Sequence, residues 1–592
     1  MIETTDGIAS VVEQLNERVR LLEQRVATLE HQASSEKSAA PTVAVVTART
    51  EPAVAREPEL LIPPLLRPMP PKVRDAAAPV ETPAGVFTTM GKAVMGMAGA
   101  FLLRAIAESG SVPKGAVLLV GIVYAAAWMV LAVRVSASSR VASVTYAVTS
   151  ALILAPMLWE STTRFQTLSP ALAGAVLAGY AVLTLVLAAR RDLELAPWVA
   201  TIAACVTAVG LIITTHALVP LVVALLVVAA ASEVAACSGH RLTQRVLAAL
   251  AADFAMWDLI DVATLSKTLP EGYQAVAAGT VTTLCLALLV IYGGSIGFRG
   301  FVRREPITYF DMGQGVLAFA LATFGALRAT QGAIAPVLGA LFLALGAICY
   351  WGALSRFVEE EYGRNRRVTA TWAAALLVAG SWLLLPMGLQ VVFLSAAALV
   401  SALLYAKTAK FSLGLHASVY LAAATVVSPV AAYVVSTLAG AVPGAPLWSL
   451  FVVAATAAAS YVVGSRRVEE QTRRRVLWVV PALLAGFAAA ALAVSAIVAA
   501  TGGSTGLAAS RLSMVRTIVG CAVALALAFA GARWKRVELG WVAYAAIGFG
   551  TLKLLLEDLR LGNPASLVVS LLFYGGVLIL LPKLMQRGRA EA

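Results

Sequence analysis

The sequence predicts an all-α membrane protein: a polytopic transmembrane helical bundle of about eighteen spans, preceded by a short coiled coil and a disordered Pro-rich linker. First, pairs of apolar runs of membrane-spanning length repeat from Phe87 to Leu584, each pair followed by a short connection rich in Arg or Lys. Second, 60% of the residues are hydrophobic, against roughly 45–50% in soluble domains. Third, a heptad pattern lies near the N-terminus.

These patterns divide the 592-residue chain into four parts. We predict a coiled coil over residues 1–31, a flexible Pro-rich linker over 32–85, a polytopic transmembrane domain over 86–584 and a cytoplasmic tail over 585–592. The linker assignment rests on ten prolines and on the lack of any sustained helical or strand periodicity. Such a composition favours extended, semi-stiff conformers, so we expect the coiled coil to stand away from the bilayer.

An apolar seam that steps alternately by four and three residues runs through the predicted coiled coil. Val occupies the a positions and Leu most of the d positions, a combination that favours a parallel two-stranded coil and so predicts a homodimer through residues 8–29. The alternative is a single amphipathic helix lying on the membrane or on a partner, because so few heptads are marginally stable alone. The interface residues are Ile8, Val12, Leu15, Val19, Leu22, Val26 and Leu29.

The distribution of basic residues predicts the orientation of the spans. Connections after even-numbered spans carry most of the Arg and Lys, including Arg245 and Arg299, which places these connections and both termini in the cytoplasm. The weakest predicted span is 246–265, because its three aspartates would each be costly in lipid. The basic connections on either side of this region are both assigned to the cytoplasm, so an even number of crossings requires 246–265 to cross as well.

The formal charge of +13 does not indicate a nucleic-acid partner, because the basic residues are spread over short connections rather than gathered on a soluble domain. The partner that the composition predicts is the lipid bilayer, with room for a small-molecule or lipid ligand. The five cysteines lie in or beside apolar runs without a CxxC pair, and no His stands at metal-ligand spacing. The sequence therefore predicts no metal site, no disulfide framework and no cofactor.

Once the spans are oriented, most ionisable residues within or beside them fall toward the outer side of the membrane. Asp253 is deeper, roughly 10 Å from the inner end of its helix at about 1.5 Å per residue. Arg104 with Glu108, and Lys553 with Glu557, are spaced i, i+4, so each pair is expected to neutralise itself within one helix. The candidate ligand or cavity residues are Asp253, Asp258, Asp261, Arg104, Glu108, Arg328, Arg516, Lys553, Glu557 and Asp558.

Two interpretations of these charges remain open at this point. They line an outward-facing cavity for a polar or anionic ligand, or they form structural ion pairs that fix the packing of many helices. A charge near the membrane surface costs less than a charge near the bilayer centre, which weakens the functional interpretation for several of them. Asp253 lies too deep for that argument, and it is the strongest single functional candidate.

Three stretches resemble recurring blocks of large bacterial membrane proteins that form a family catalogued only as a domain of unknown function. They are ELGWVAYAAIGFGTLKLLLEDLRLGNPASLVVSLLFYGGVLILLPKL (residues 538–584), REPITYFDMGQ (residues 304–314) and GKAVMGMAGAFLLRAIAESG (residues 91–110). The order of coiled coil, proline-rich linker and many spans is also similar. The resemblance implies a bacterial cytoplasmic-membrane protein, and it implies no activity and no catalytic residues.

The leading functional hypothesis is transport or handling of a polar or anionic solute, or of an envelope lipid, through an outward-facing charged cavity in the bacterial inner membrane. A second hypothesis is a membrane-embedded enzyme acting on a lipid-linked envelope substrate, with Asp253, Asp258 or Asp261 as general base. The short external connections make an enzyme the less favoured class. A third hypothesis is a membrane scaffold or sensor whose coiled coil recruits a cytoplasmic partner.

Overall fold

The computed structural model describes residue 20 and residues 83–136, 139–190, 195–240, 243–266, 268–355, 363–440, 444–466, 475–501, 509–558 and 564–590. The chain divides into two units, Met1–Val80 and Glu81–Ala592, and the helices described below belong to the second unit. The seam of the predicted coiled coil, nearly all of the predicted linker and the last two residues of the predicted tail lie outside the described residues. The homodimer through residues 8–29 therefore stays a prediction.

The secondary structure of the described residues is entirely helical, as a bilayer demands of a chain whose backbone must satisfy its own hydrogen bonds. The first ten helices are α1 (Pro83–Ser109), α2 (Lys114–Val135), α3 (Arg140–Thr163), α4 (Pro170–Ala189), α5 (Leu195–Thr215), α6 (Leu218–Cys237), α7 (Arg245–Ile260), α8 (Ala278–Gly297), α9 (Tyr309–Ala329) and α10 (Ala335–Ser355). The others are α11 (Gly363–Leu384), α12 (Met387–Thr408), α13 (Phe411–Val427), α14 (Val430–Leu438), α15 (Trp448–Ser465), α16 (Val479–Ala500), α17 (Ala509–Arg533), α18 (Val537–Lys553) and α19 (Pro564–Ala590).

Short turns of other helical types extend four of these helices. A π-helical turn continues α7 over Asp261–Leu265, α8 over Phe298–Val302 and α18 over Leu554–Asp558. A 3-10 turn, Val476–Trp478, leads into α16. Helix α1 begins at Pro83, inside the last residues of the predicted linker, and α19 continues through most of the predicted tail. The turn after α18 changes which side chains meet at that helix end, as described below.

Sixteen helices in the described residues are long and apolar enough to cross a membrane, or seventeen if α13 and α14 form one broken span. Those two helices meet at an angle of 76°. The prediction of a polytopic helical bundle is therefore confirmed. The predicted count of about eighteen exceeds this number by one, and the difference is the 246–265 region, now α7 with its π turn. Its three aspartates keep it outside the set of apolar spans.

Helix α7 with its π turn is about as long as α9, because the two helices contact each other at both ends. At the first residue of α7, Arg245 Nη2 lies 3.0 Å from the Asp311 Oδ1 atom near the start of α9. At the other end, Arg328 Nη2 near the end of α9 donates a hydrogen bond of 3.3 Å to the Thr264 carbonyl oxygen. Helix α9 is one of the sixteen apolar spans. Together α7 and its π turn are roughly 30 Å long at 1.5 Å per residue, enough to cross a bilayer core.

Glycines allow α10 and α11 to pack closely. A Cβ atom added to Gly339 would lie 2.9 Å from the Gly380 carbonyl oxygen, and one added to Gly380 would lie 2.8 Å from the Gly339 carbonyl oxygen. Real side chains do not tolerate such distances, so the two backbones approach this closely only because both residues lack a side chain. Small residues at helix crossings are typical of membrane proteins, where close van der Waals packing stabilises helix pairs.

Among the described helices, the three largest groups of buried apolar side chains span α2 to α11, α11 to α16, and α17 to α19. Smaller groups join α16 to α17 and to α18. Helix α1 lies at the margin of the first group. Phe87, Met95 and Phe101 on α1 are each more than half exposed, which suits a helix that presents an apolar face to lipid.

Candidate functional site

The structure distributes the predicted site residues over three groups and one isolated position. We call the helix ends that adjoin the Arg- and Lys-rich connections the basic end, and the other helix ends the opposite end. Arg104 and Glu108 form one group on α1, and Asp258, Asp261 and Arg328 a second on α7 and α9. The third group belongs to α17 and α18 and comprises Arg516, Lys553, Glu557 and Asp558. All three lie toward the opposite end, and Asp253 alone lies nearer the basic end.

Five charged side chains, which we call the charged rim, gather at the opposite ends of α1 to α3. Arg104 Nε lies 3.4 Å from Glu108 Oε1, which confirms the predicted i, i+4 pair. Arg104 Nη1 also lies 3.0 Å from Glu160 Oε1. Arg164 Nη1 lies 3.1 Å from Glu108 Oε1. Lys114 completes the rim. Most of these side chains are substantially exposed, so the pairs contribute little stability by themselves.

Beneath the charged rim, α1, α2 and α3 enclose a cavity of about 250 Å³, which we call the three-helix cavity. Its wall is mostly hydrocarbon, and Arg104, Lys114 and Glu160 lie at its mouth. Pro156 lies within α3, which is helical on both sides of it, and it lines the cavity. Proline lacks the N–H that would bond the carbonyl four residues earlier, so α3 has one fewer backbone hydrogen bond there. The apolar lining includes Met97, Ala100, Ala107, Leu118, Ile153 and Met157.

The second group does not form the salt bridge that its charges would allow. Arg328 donates to the Thr264 carbonyl rather than to a carboxylate. Asp258 and Asp261 are both half-buried at this end of α7. The His216 and Tyr273 rings lie nearby, with 4.5 Å between their centroids. Burial and, secondly, the negative charge of Asp258 raise the pKa of the Tyr273 phenol above its ordinary value. Among the described residues, Asp258, Asp261 and Arg328 therefore form a half-buried polar patch at the opposite ends of α7 and α9.

The third group is a buried network, and its pairing differs from the predicted one. Lys553 Nζ lies 2.5 Å from Asp558 Oδ1, not beside Glu557 as the i, i+4 spacing predicted. The π turn after Lys553 changes the spacing of side chains around the helix, which brings Asp558 to the ammonium group. Lys553 also donates to Ser513 Oγ at 2.8 Å and to Thr517 Oγ1 at 2.8 Å. The lysine is therefore fully engaged inside the protein.

Glu557 pairs instead with Arg516 on α17. Arg516 Nη1 lies 2.6 Å from Glu557 Oε1, and the arginine side chain is 1% exposed. The same guanidinium donates to the carbonyl oxygens of Thr437 at 2.7 Å and Gly440 at 3.0 Å, at the end of the short helix α14. A guanidinium at a helix C-terminus satisfies carbonyls that have no intrahelical partner. These contacts favour a structural role for this group, the second of the two interpretations of the predicted charges.

Asp253 is buried at the contact between α7 and α9. Gln314 Nε2 on α9 donates to Asp253 Oδ2 at 2.9 Å, and both residues are at most 5% exposed. The other carboxylate oxygen, Oδ1, is buried without a hydrogen-bond partner. Within the described chain, no ion pair reaches this carboxylate. Asp253 is thus the predicted site residue whose environment leaves its charge least compensated.

Toward the basic end from Asp253 lies a buried cluster of four charges that sequence reasoning missed, which we call the four-charge cluster. Arg299 Nη2 lies 2.7 Å from Asp311 Oδ1 and 3.4 Å from Glu233 Oε2. Arg245 Nη2 lies 3.0 Å from Asp311 Oδ1, and its Nη1 lies 3.8 Å from Glu233 Oε2. Ser295 also donates to Glu233 Oε2 at 2.5 Å. The cluster joins the basic ends of α6, α7, α8 and α9.

The charges of this cluster were visible in the sequence, but their role was not. Arg245 and Arg299 were counted only as orientation signals, and Glu233 is the sole acidic residue of the apolar run that forms α6. A lone carboxylate at the end of such a run, followed by basic residues at two later helix ends, is the signal that could have indicated a buried ion cluster.

A polar triad of aromatic and His side chains was also missed. Tyr350 on α10 has its hydroxyl 2.8 Å from His416 Nδ1 and 2.7 Å from the Tyr420 hydroxyl, both on α13. His416 is almost completely buried. These hydrogen bonds fix α10 against α13 in a region of the bundle where both helices are apolar.

Comparison of the chain with protein-family models, with curated proteins and with solved structures finds no match. The resemblance to the uncharacterised bacterial family therefore stays a prediction. The length and apolar composition of the helices are enough to establish the class of protein. The chain is a polytopic, all-α integral membrane protein.

Proposed function

We propose that this protein binds and handles an amphiphile with an anionic head group, of the envelope-lipid class, at the three-helix cavity. The single observation that carries the proposal is the cavity itself: about 250 Å³ of mostly hydrocarbon-lined space with charged side chains only at its mouth. Small-molecule sites of roughly 300–1,000 Å³ are typical, so this cavity suits part of a lipid, such as a chain segment, rather than a whole one.

The charges at the mouth favour a negative head group. The charged rim holds three cations, Arg104, Lys114 and Arg164, against two carboxylates, so one positive charge is left over. Lys114 is the cation without a carboxylate partner among the described residues, and its Nζ atom lies 5.0 Å from the centre of the Phe165 ring. A phosphate or carboxylate head group would complete this arrangement, and lysine is a common phosphate partner.

The position of α1 gives a lipid a route to the cavity. This helix forms one wall, and most of its surface is exposed outside the packed core. A chain could therefore enter from the bilayer past α1 without crossing the interior of the bundle. The expected orientation of the basic connections places the rim at the outer membrane surface. The proposal therefore concerns a lipid of the outer leaflet of the bacterial cytoplasmic membrane.

A titration followed by native mass spectrometry tests this proposal with a matched pair of variants. Ala100 lines the cavity, whereas Ala98, on the same helix, is exposed and does not. Saturable binding of phosphatidylglycerol to the wild type should be lost in Ala100→Phe, because the new ring fills the cavity, and kept in Ala98→Phe. Equal binding by wild type and both variants would refute the cavity as the site.

A second variant tests the charge of the head group. Lys114→Gln should weaken phosphatidylglycerol binding about tenfold or more, since a hydrogen bond to a charged group contributes roughly 1.5–3 kcal/mol. Binding of diacylglycerol, which has the same acyl chains but no phosphate, should change little. If both lipids lost affinity equally, the preference for an anionic head group would be wrong, although the cavity itself could still be the site.

A further inference from the structure

Asp253 has an incomplete set of hydrogen-bond partners within the protein, although its side chain is buried. It belongs to α7, about 12 Å from the basic end of that helix at 1.5 Å per residue. Gln314 satisfies one carboxylate oxygen at 2.9 Å, and the other is buried without a partner. An isolated buried carboxylate is costly when ionised, and such groups bind a proton or a cation instead.

The nearby charges do not neutralise it. Four helices pack against α7, namely α5, α6, α8 and α9. Their carboxylates closest to the basic end, Glu233 and Asp311, are each shared between two arginines, so the four-charge cluster is neutral by itself. No cation of the cluster is left for Asp253. The titratable or charged side chains that these helices present toward this region are Cys205 on α5, Glu233 and Cys237 on α6, Tyr292 and Arg299 on α8, and Asp311 on α9.

Other polar atoms in the same part of the bundle are also buried without partners. They are the Thr201 hydroxyl on α5, both side-chain amide atoms of Gln244 before α7, and the Tyr292 hydroxyl on α8. Tyr292 lies within electrostatic range of both Asp253 and Glu233. Buried polar atoms are normally hydrogen-bonded, and several orphaned ones together suit a site that takes up water or protons.

The geometry around the carboxylate favours a proton over a metal ion. Gln314 donates an N–H to Oδ2, and Oδ1 has no partner. An N–H group cannot be a ligand of a metal cation, so Gln314 does not add a ligand through this group. A proton needs one bare oxygen, whereas an alkali or alkaline-earth ion needs several oxygens around it. Gln314 follows Asp311 by three residues on α9, so both side chains lie on one face of that helix. Gln314, the partner of Asp253, therefore lies about one helical turn from Asp311 of the four-charge cluster at the basic end.

We propose that Asp253 is a proton-binding site, taking up one proton on Oδ1 to become a neutral carboxylic acid and releasing it toward the basic end through the four-charge cluster. The step is proton uptake and release alone, with no change of redox state. This inference does not depend on the three-helix cavity, which lies on other helices. It gives the protein a group through which a membrane proton gradient could act.

Labelling with a hydrophobic carbodiimide tests the proposal, because this reagent adds to protonated carboxyl groups in apolar surroundings. Full-length protein in liposomes is treated with dicyclohexylcarbodiimide, and the tryptic peptide 246–267, which holds Asp253, Asp258 and Asp261, is analysed by fragment-ion mass spectrometry. We expect an adduct on Asp253 whose rate of formation falls as the pH is raised. Absence of an adduct on Asp253 at every pH, or a rate independent of pH, would overturn the proposal.

Two variants add readouts that a purely structural aspartate would not give. Gln314→Leu removes the donor to the ionised carboxylate, so labelling of Asp253 should persist to higher pH than in the wild type. Asp258→Asn on the same helix should leave the pH profile at Asp253 unchanged. An unchanged profile in Gln314→Leu, in protein that elutes as a single folded species, would contradict the proposed site. The wild-type measurement does not require any variant to fold.

Discussion

Arg245, the first residue of α7, lies 3.0 Å from Asp311 near the start of α9, so these two helices begin side by side. At their far ends Arg328 of α9 reaches the carbonyl of Thr264. Two contacts separated by the whole length of both helices mean that α7 and α9 run in the same direction over the same depth. The connections before and after α7 therefore adjoin opposite ends of the bundle.

This arrangement predicts the sides on which two exposed residues react. In a variant lacking the five native cysteines, Ser238→Cys before α7 and Glu271→Cys after it should react with a membrane-impermeant maleimide from opposite sides. Ser238→Cys should react in inside-out vesicles and Glu271→Cys in intact spheroplasts, by the positive-inside rule. Reaction of both from one side would mean that α7 does not cross.

Breaking the four-charge cluster should cost far more stability than breaking an exposed pair. Arg299→Leu leaves Asp311 and Glu233 each with a weaker set of partners in a buried place. We expect a loss of about 3–5 kcal/mol in the free energy of unfolding, as for other buried pairs that lose one partner. Arg104→Leu, in a pair whose side chains are about 40% exposed, is the control and should lose at most about 1 kcal/mol. Chemical unfolding in detergent measures the free energy of unfolding of both variants. Equal losses would mean that the four-charge cluster contributes no more stability than an exposed pair.

Adding one methyl group at the α10–α11 crossing should separate the two helices. Gly380→Ala places a Cβ atom 2.8 Å from the Gly339 carbonyl oxygen, so the backbones must shift, at about 1–3 kcal/mol for overpacking. Gly179→Ala on α4 meets no heavy atom within 4 Å and should be neutral or slightly stabilising, because alanine favours helix. The melting temperatures of the two variants would decide. A Gly380→Ala variant as stable as Gly179→Ala would contradict the close crossing.

Replacing Arg516 by lysine should loosen the end of α14. The planar guanidinium contacts Glu557 and the carbonyls of Thr437 and Gly440 at once, which a single ammonium group cannot reproduce. Hydrogen exchange of the backbone amides of α14 should therefore be faster in Arg516→Lys than in the wild type. Arg511→Lys, at an exposed position on the same helix, should leave that exchange unchanged. If the exchange rates were unchanged in both variants, Arg516 would not cap the C-terminus of α14.

The helical architecture could be predicted from sequence because apolar length and basic connections are local properties. Even the Asp-bearing helix was placed correctly in the chain, although apolar composition alone omits it. The choice of Asp253 as a functional candidate followed from its depth, which is also a local property. What depth could not predict was its partner, Gln314, which lies more than sixty residues away.

The pairing of charges was harder to predict, for two physical reasons. Regular helical spacing assigned Glu557 to Lys553, but a π turn after Lys553 brings Asp558 to it instead, and a π turn has no clear sequence signature. The four-charge cluster draws its members from four helices, so no local pattern contains it. The three-helix cavity likewise depends on how α1 lies against α2 and α3, which hydropathy does not specify.

Photolabelling of the wild-type protein shows whether an anionic lipid occupies the three-helix cavity. Phosphatidylglycerol with a photoreactive acyl chain is incorporated into liposomes with the protein, irradiated, and the adducts are mapped by mass spectrometry. We predict adducts on cavity-lining residues such as Met97, Ile153 and Met157, and their loss when unlabelled phosphatidylglycerol is added in excess. Adducts confined to lipid-exposed residues such as Phe87 and Met95 would contradict the claim.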